Sequence, residues 1–379
     1  MYSKKLNIAM IGHKRIPSRE GGVEIVVEEL SKRIVKKGHN ITAYNRRGHH
    51  VSGKEFNGIS NNNQIREHEG INVITVPTIE SKGLAAVTSS FFATMKAVFK
   101  RYDCIHYHAE GPCVMLLIPR IFKIRTVATI HGLDWQRSKW GGFATWYLKL
   151  GEKIAAKYAN EVIVLSENVR KYFLETYNRE TKFISNGIEK PEILSPKLIK
   201  SKWNLDKDDY ILFLGRIVPE KGLQYLIDAF LEVKTDKKLV IAGGASDTND
   251  FMNEIKEKAI SDERIIFTGF VQGKELEELY SNAYIYTLPS DLEGMPISLL
   301  EAMSYGNCCL VSDIDECAEV VEDNGIVFEK SNVQDLKIKL QEVCNNPGLV
   351  KKYKENASQF ICSKYSWDDV VEKTLHLYK

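Results

Sequence analysis

No two of the seven cysteines form a C-x-x-C pair, and their number is odd. That argues against a disulfide framework or a zinc ribbon, so Cys104, Cys113, Cys308, Cys309, Cys317, Cys344 and Cys362 read as scattered buried thiols of a reducing cytoplasm. No apolar run reaches the roughly 18 residues that a membrane-spanning helix needs. The opening "MYSKKLNIAMIG" has too short an apolar run for a signal peptide and reads as a buried strand. Neither charge sign dominates: 52 Lys and Arg stand against 50 Asp and Glu, a net of +2, which leaves no electrostatic footprint for nucleic acid. Low-complexity tracts and short repeats are absent, and so is the G-x-G-x-x-G fingerprint of a nicotinamide or flavin site.

What is present is ordinary for a packed protein: 44% apolar and 27% charged residues over 379 positions, about twice the usual domain length. Apolar runs of five to seven residues recur, each followed by a turn and a segment of helical period. In the first half they are 6–12, 40–46, 71–77, 104–108, 125–132 and 161–166, with "VEIVVEELSKRIVKKG" (23–38) as the opening helix. A polar, proline-bearing stretch at 183–209 interrupts the pattern. It then restarts with 210–216, 238–244, 264–270, 283–290 and 308–313, alternating with helices at 222–234, 251–261 and 273–283. Strands that alternate with helices predict parallel sheets covered on both faces. The expected α/β architecture is two doubly wound, Rossmann-like domains whose strand C-termini face one interdomain cleft. The expected boundaries are 1–187 for the first domain, 188–208 for the connection and 209–360 for the second. A C-terminal helix at 361–379 would pack back on the first domain, with Ser366 as N-cap and Asp368 and Asp369 in its first turn.

Three loops carry chemistry. "KRIPSREGGVE" (14–24) places Gly21 and Gly22 before a helix, where backbone can approach a ligand closely. "GRIVPEKG" (215–222) sets Arg216 and Lys221 at a strand's C-terminal end, a pair of cations suited to a diphosphate. "EGMPISLLE" (293–301) places Pro296 as first residue of a helix running to Ser304, with Glu293 before the helix and Glu301 inside it. Eight residues fall about 80° from a whole number of turns, so both acids can border one cavity at a helix start that attracts an anion. Each loop also has a plain reading, as a turn glycine pair, a solvated basic turn and a capped helix.

Together the loops resemble the retaining family-four glycosyltransferases of GT-B architecture. "EGMPISLLE" matches that family's E-x₇-E motif, and "SREGGVE", "HG" at 131–132, "SNGI", "GF" at 269–270 and "YSW" follow in the family's order over nearly the whole chain. The resemblance implies that Arg216 and Lys221 bind the donor diphosphate and stabilise the leaving nucleotide. It implies that Glu301 holds the ribose, and that Glu293 contacts the sugar. Gly294, Met295, Pro296 and Ile297 would serve sugar and phosphate, Gly21 and Gly22 would close on the diphosphate, His131 would lie beside the sugar and Val271 near the base. No cofactor and no metal are expected; Asp313 and Asp315 of "SDIDE" read as loop acids, although the family more often has glycines at 315–316. The expected reaction is front-face substitution with retention, since no carboxylate is placed as a covalent nucleophile.

The partners this implies are a nucleotide-sugar donor and a glycan or polyprenyl-diphosphate-linked acceptor, in a cytoplasmic protein that contacts the inner face of the plasma membrane. Within the family the opening stretch resembles enzymes of bacterial capsule and cell-wall polysaccharide assembly, including rhamnosyltransferases, and the donor stays open among dTDP-rhamnose, UDP-hexoses and GDP-mannose. On the acceptor side, Leu84, Val87, Phe91, Met95, Val98, Phe99 and Tyr102 share one helical stripe, flanked by Lys82, Lys96, Lys100 and Arg101. Core packing is its plain reading; a membrane-surface contact is the functional one. Lys14, Arg15, Arg19 and "NRRGHH" (45–50) would then face an anionic lipid diphosphate. Two alternatives from other classes are a sugar-nucleotide 2-epimerase of the same architecture and a non-catalytic carbohydrate-binding protein.

Overall fold

The computed structural model describes residues 4–48, 65–81, 83–137, 140–244 and 249–379. Lys82, His49 and His50 lie outside them. The chain divides into two compact units, one built on the N-terminal part through Gly187 plus Trp367–Lys379, the other on Ile188–Ser366.

The first unit runs β1 (Asn7–Ile11), α1 (Gly22–Lys36), β2 (Asn40–Arg46), β3 (Glu67–His68), β4 (Ile71–Val76), α2 (Leu84–Val98) and β5 (Cys104–His108). It continues with α3 (Leu117–Ile121), β6 (Arg125–Ile130), α4 (Gly142–Tyr158), β7 (Glu161–Val164), α5 (Glu167–Tyr177) and β8 (Lys182–Phe183). Its 8-stranded sheet has the order β3-β4-β2-β1-β5-β6-β7-β8. Only the edge pair β3–β4 is antiparallel among its described pairings.

The second unit runs α6 (Leu198–Trp203), β9 (Tyr210–Leu214), α7 (Leu223–Leu231), β10 (Lys238–Ala242), α8 (Asn249–Ala259), β11 (Ile265–Gly269), α9 (Lys274–Asn282) and β12 (Ile285–Leu288). Then come α10 (Ile297–Ser304), β13 (Cys308–Ser312), α11 (Asp315–Val321), β14 (Ile326–Phe328), α12 (Val333–Asn345) and α13 (Pro347–Lys364). Its 6-stranded parallel sheet has the order β11-β10-β9-β12-β13-β14. Both orders reverse direction beside the unit's first strand, between β1 and β5 and between β9 and β12, the switch point where doubly wound sheets bind ligands.

Central strands such as β12 and β13 are buried along their whole length, as expected for strands with helices on both faces. Backbones press together at both switch points. Gly12 adopts φ +121°, and a Cβ there would sit 2.1 Å from the His108 carbonyl oxygen. Gly222 adopts φ +67°, and its Cβ would sit 1.8 Å from the Pro289 carbonyl oxygen. Only glycine fits either position.

The stretch at 188–208 is more than a connection. The amides of Lys197, Leu198 and Ile199, at the start of α6, donate to one carboxylate oxygen of Glu278 at 2.7–3.1 Å, which docks α6 on α9. The chain ends in α14 (Trp367–Leu377), which belongs to the first unit. The Arg33 guanidinium of α1 lies 5.1 Å over the Trp367 ring, and Arg125 donates to the Leu377 carbonyl at 2.7 Å.

Candidate functional site

In the second unit, the loop after β9 meets the loop after β12. Lys221 closes a 3-10 turn (Pro219–Lys221) and its ammonium donates to Glu293 at 2.5 Å; the side chains are 13% and 9% exposed. Ser290 donates to the same Glu293 oxygen at 2.6 Å, and Ser312, at the end of β13, donates to the Ser290 carbonyl. The Asp291 amide donates to the Glu220 carbonyl at 2.9 Å, and the Tyr225 hydroxyl to Asp291 at 3.1 Å. Three loops are thereby fixed around one acid and one cation. Arg216 follows β9 and is half-buried.

The stretch Glu293–Ile297 leads directly into α10. Pro296, expected as the first helical residue, is instead the N-cap, with extended backbone at ψ 103°, one residue before the helix starts. The helix proper begins at Ile297, and Pro296 supplies a carbonyl for Leu299 and Leu300 rather than a helical turn of its own. Gly294, Met295 and Pro296 are buried and Ile297 is half-buried. Glu301 accepts from the Tyr280 hydroxyl at 3.1 Å, and the Tyr280 ring stacks on Tyr305 with centroids 5.3 Å apart. The two glutamates thus have different partners: Glu293 neutralises a lysine, and Glu301 borders an aromatic stack. Val271 is buried beyond β11, at the same end of the sheet but two strands from β9. Asp313 accepts from the Lys330 amide at 2.8 Å and Asp315 opens α11. Among the described residues no cluster of His, Cys, Asp and Glu is arranged to hold a metal ion.

In the first unit, Gly21 is the N-cap of α1 with extended backbone, and a Cβ there would meet a Glu24 carboxylate oxygen at 2.6 Å. Buried Glu24 accepts from the Lys14 amide at 2.8 Å. Burial pushes its carboxyl up, but Lys14 and Arg46 outweigh that and hold it below the usual range. Asn45, at the end of β2, brackets the loop by accepting from the Ile16 amide and donating to the Ile16 carbonyl. The basic residues expected to face lipid are partly engaged inside the unit: Arg15 pairs with Glu20 at 3.2 Å, and Arg46 donates to the Gly12 carbonyl at 3.1 Å.

His131 follows β6, is half-buried, and shares a hydrogen bond with His108 at 3.1 Å. Burial lowers its pKa to about 4, so it is neutral near pH 7. It does not stand alone. His106 and His108, two apart on β5, point to the same face and stack with centroids 4.1 Å apart. His106 in turn lies 2.7 Å from both the Tyr378 hydroxyl and the Thr129 hydroxyl. This column was readable only as "CIHYH", where the i, i+2 spacing of two histidines was the available signal.

A second buried group also lacks a sequence signal. Glu152 of α4 accepts from Trp135, Tyr172 and Tyr177. Glu110 lies beside it; burial, then Asp134 and Glu152, push its carboxyl well above the usual carboxylate range.

Comparison with known proteins agrees with both halves. Residues 20–190 match the family described as Glycosyltransferase Family 4, and residues 196–360 match Glycosyl transferases group 1. An uncharacterised glycosyltransferase of Methanocaldococcus jannaschii is 27% identical, with 99% of this chain and 98% of that protein covered. The alpha-maltose-1-phosphate synthase of Mycobacterium tuberculosis is also 27% identical, over 80% of this chain and 85% of its own length. Among solved structures, sucrose-phosphate synthase from Thermosynechococcus elongatus superposes with a TM-score of 0.82 at 18% identity, covering 99% and 98% of the two chains. Anabaena HepE, solved in complex with UDP and glucose, gives 0.81 at 18% identity over 98% of each chain. These superpositions establish a GT-B fold of two Rossmann-like units.

Proposed function

We propose that the chain, whose two halves match the Glycosyltransferase Family 4 and Glycosyl transferases group 1 models, is a GT-B glycosyltransferase that transfers a sugar with retention from a nucleoside-diphosphate donor to a glycan or polyprenyl-diphosphate-linked acceptor. The setting is bacterial cell-surface polysaccharide synthesis on the cytoplasmic side of the plasma membrane. The observation that carries the donor site is the Lys221–Glu293 pair at the entrance to α10.

Breaking the bond between the sugar and the diphosphate builds negative charge on the leaving oxygen. Preplaced cations and a helix N-terminus lower that barrier because they need not reorganise as the charge appears. Lys221 is a point charge and Arg216 a planar fork, which together suit two phosphates. Before donor binds, Glu293 holds Lys221 in place. Once phosphate competes for the ammonium, Glu293 is released to accept hydrogen bonds from sugar hydroxyls. Glu301 takes the ribose diol, with Gly294, Met295, Ile297 and Val271 around sugar, phosphate and base. By the family resemblance we assign Gly21 and Gly22 to the diphosphate, and neutral His131 to a hydrogen bond with the sugar that adds no charge. With the protein's own cations facing the leaving group, transfer proceeds without a resident metal, and the rate is unchanged by a chelator.

Relatives named for phosphorylated sugar products and a neighbour solved with UDP and glucose support a nucleotide-sugar donor. The donor stays open among dTDP-rhamnose, UDP-hexoses and GDP-mannose. Calorimetric titration with UDP, GDP and dTDP tests the site. One nucleotide binds the wild type, and Lys221→Ala and Glu301→Ala each weaken it at least about tenfold. Absence of binding to all three would overturn the transferase reading. Release of free nucleoside diphosphate only when acceptor is added separates transfer from epimerisation and from simple carbohydrate binding.

A further inference from the structure

We propose that the outward face of α2 and α3 docks on an anionic lipid bilayer. The face is built against the usual rule for a surface helix. On α2 the small and polar residues Ser89, Ser90, Ala93, Thr94 and Ala97 are buried. Ser89 and Ser90 return their hydroxyls to carbonyls of their own helix, and Thr94 shares a hydrogen bond with Tyr107, so this side packs closely with its polar groups satisfied. Val98 is buried with them, but the larger apolar residues point the other way: Leu84, Phe91, Phe92 and Phe99 are exposed, Phe99 to 76%. Helical spacing puts them, with half-buried Met95, in one arc opposite the buried one.

The neighbouring helix extends the face. Leu117 and Ile121 of α3 and Phe122 after it are also exposed, Ile121 to 78%, and Phe122 meets Phe99 edge to face at 6.4 Å. A contiguous apolar patch of this kind on a described surface calls for an occupant.

Charge selects the occupant. Lys96 of α2 and Arg120 of α3 are exposed, as are Lys100, Arg101 and Lys123 just after these helices. No acidic residue occurs from 81 to 102 or from 111 to 133, although acids and bases are nearly balanced over the whole chain. A second copy of the chain would bring like charges together. An anionic membrane accepts the cations at its headgroups and the phenylalanines at the acyl boundary. This inference does not depend on the donor site, and its test uses no substrate.

Sedimentation with vesicles containing about one quarter phosphatidylglycerol in phosphatidylcholine, at about 0.1 M salt, reads the contact. The full chain is expected to bind these vesicles, to bind pure phosphatidylcholine at least roughly tenfold more weakly, and to be released as salt rises toward about 0.5 M. The triple variant Phe91→Ser, Phe99→Ser, Ile121→Ser and the double variant Lys96→Glu, Lys100→Glu should each lose at least about tenfold in partition. All five side chains are exposed, so the melting temperature should hold and the loss is not one of folding. Equal partition of the variants and the wild type, or no vesicle binding, overturns the proposal. So does a dimer in light scattering that the serine variants dissolve while vesicles are ignored, which would assign the face to a second copy.

Discussion

At the scale of single residues, the Lys221–Glu293 pair separates stability from function. Lys221→Ala leaves a mostly buried carboxylate without its cation, and should destabilise the fold by about 1–3 kcal/mol in urea unfolding. The double variant Lys221→Ala, Glu293→Gln removes the stranded charge. It should recover most of that stability while leaving transfer about a hundredfold or more below wild type. If turnover returned with stability, Lys221 would be a structural cation and no more. Gly222→Ala tests the close approach of the two loops: with φ at +67° and the Pro289 oxygen 1.8 Å from the new Cβ, a loss of about 2–4 kcal/mol is expected. Arg216, Lys221, Glu293 and Glu301 stand out in the sequence as candidates because cations after a strand and acids at a helix start have local signatures. That Lys221 and Glu293 would be each other's partners was not, since 72 residues separate them and only the adjacency of β9 and β12 brings their loops together.

At the scale of elements, strands of Ile, Val and Ala announced themselves, because burial on both faces demands an unbroken apolar run. The helices α4, α5, α12 and α13 were harder to read, since their apolar positions are diluted by lysines and glutamates on wide solvent faces. The α2 stripe of Leu84, Val87, Phe91, Met95, Val98, Phe99 and Tyr102 is divided by the structure: Val98 is buried, Val87, Met95 and Tyr102 are half-buried, and Leu84, Phe91 and Phe99 are exposed. Periodicity marks a face and cannot say which way it turns when the opposite face is small enough to pack. The helix α14 was visible, and its anchoring was not, because the partners of Trp367, Leu377 and Tyr378 lie hundreds of residues away in sequence. Its contribution can be measured. Tyr378→Phe removes the hydroxyl beside buried His106 and should cost about 1–2 kcal/mol in chemical unfolding. Glu372→Ala, at the exposed Lys37 pair on the same helix, should leave the unfolding midpoint where it was.

At the scale of the whole molecule, a near-neutral chain conceals an uneven placement of titratable groups, and acid should reveal it. Burial lowers His13 and His131 to about 4 and His106 to about 3, and drives His108 well below its ordinary value. In the unfolded chain these rings titrate near 6.5. Between about 6.5 and 4 the unfolded state therefore binds protons that the folded state refuses, and stability must fall as pH falls through that window. Each ring contributes up to about 1.4 kcal/mol per pH unit. Glu110 and Glu20 act in the opposite sense: their carboxyls are raised, chiefly by burial, and this offsets part of that fall. The lowered rings, His39 among them, outnumber the two raised carboxyls, so stability keeps a net downward slope as pH falls below about 6. Urea midpoints measured from pH 7.5 to 5 should show that slope, and it should diminish by up to about one proton in His108→Gln, which cannot titrate. The rate of transfer should behave differently. His131 is already neutral at pH 7 and stays so until about 4, so the rate should show no acid limb near 6.5 while the fold is intact. An acid limb at 6.5 with unchanged stability would mean that His131 titrates freely and is not the buried, neutral hydrogen-bonding group that its place against His108 makes it.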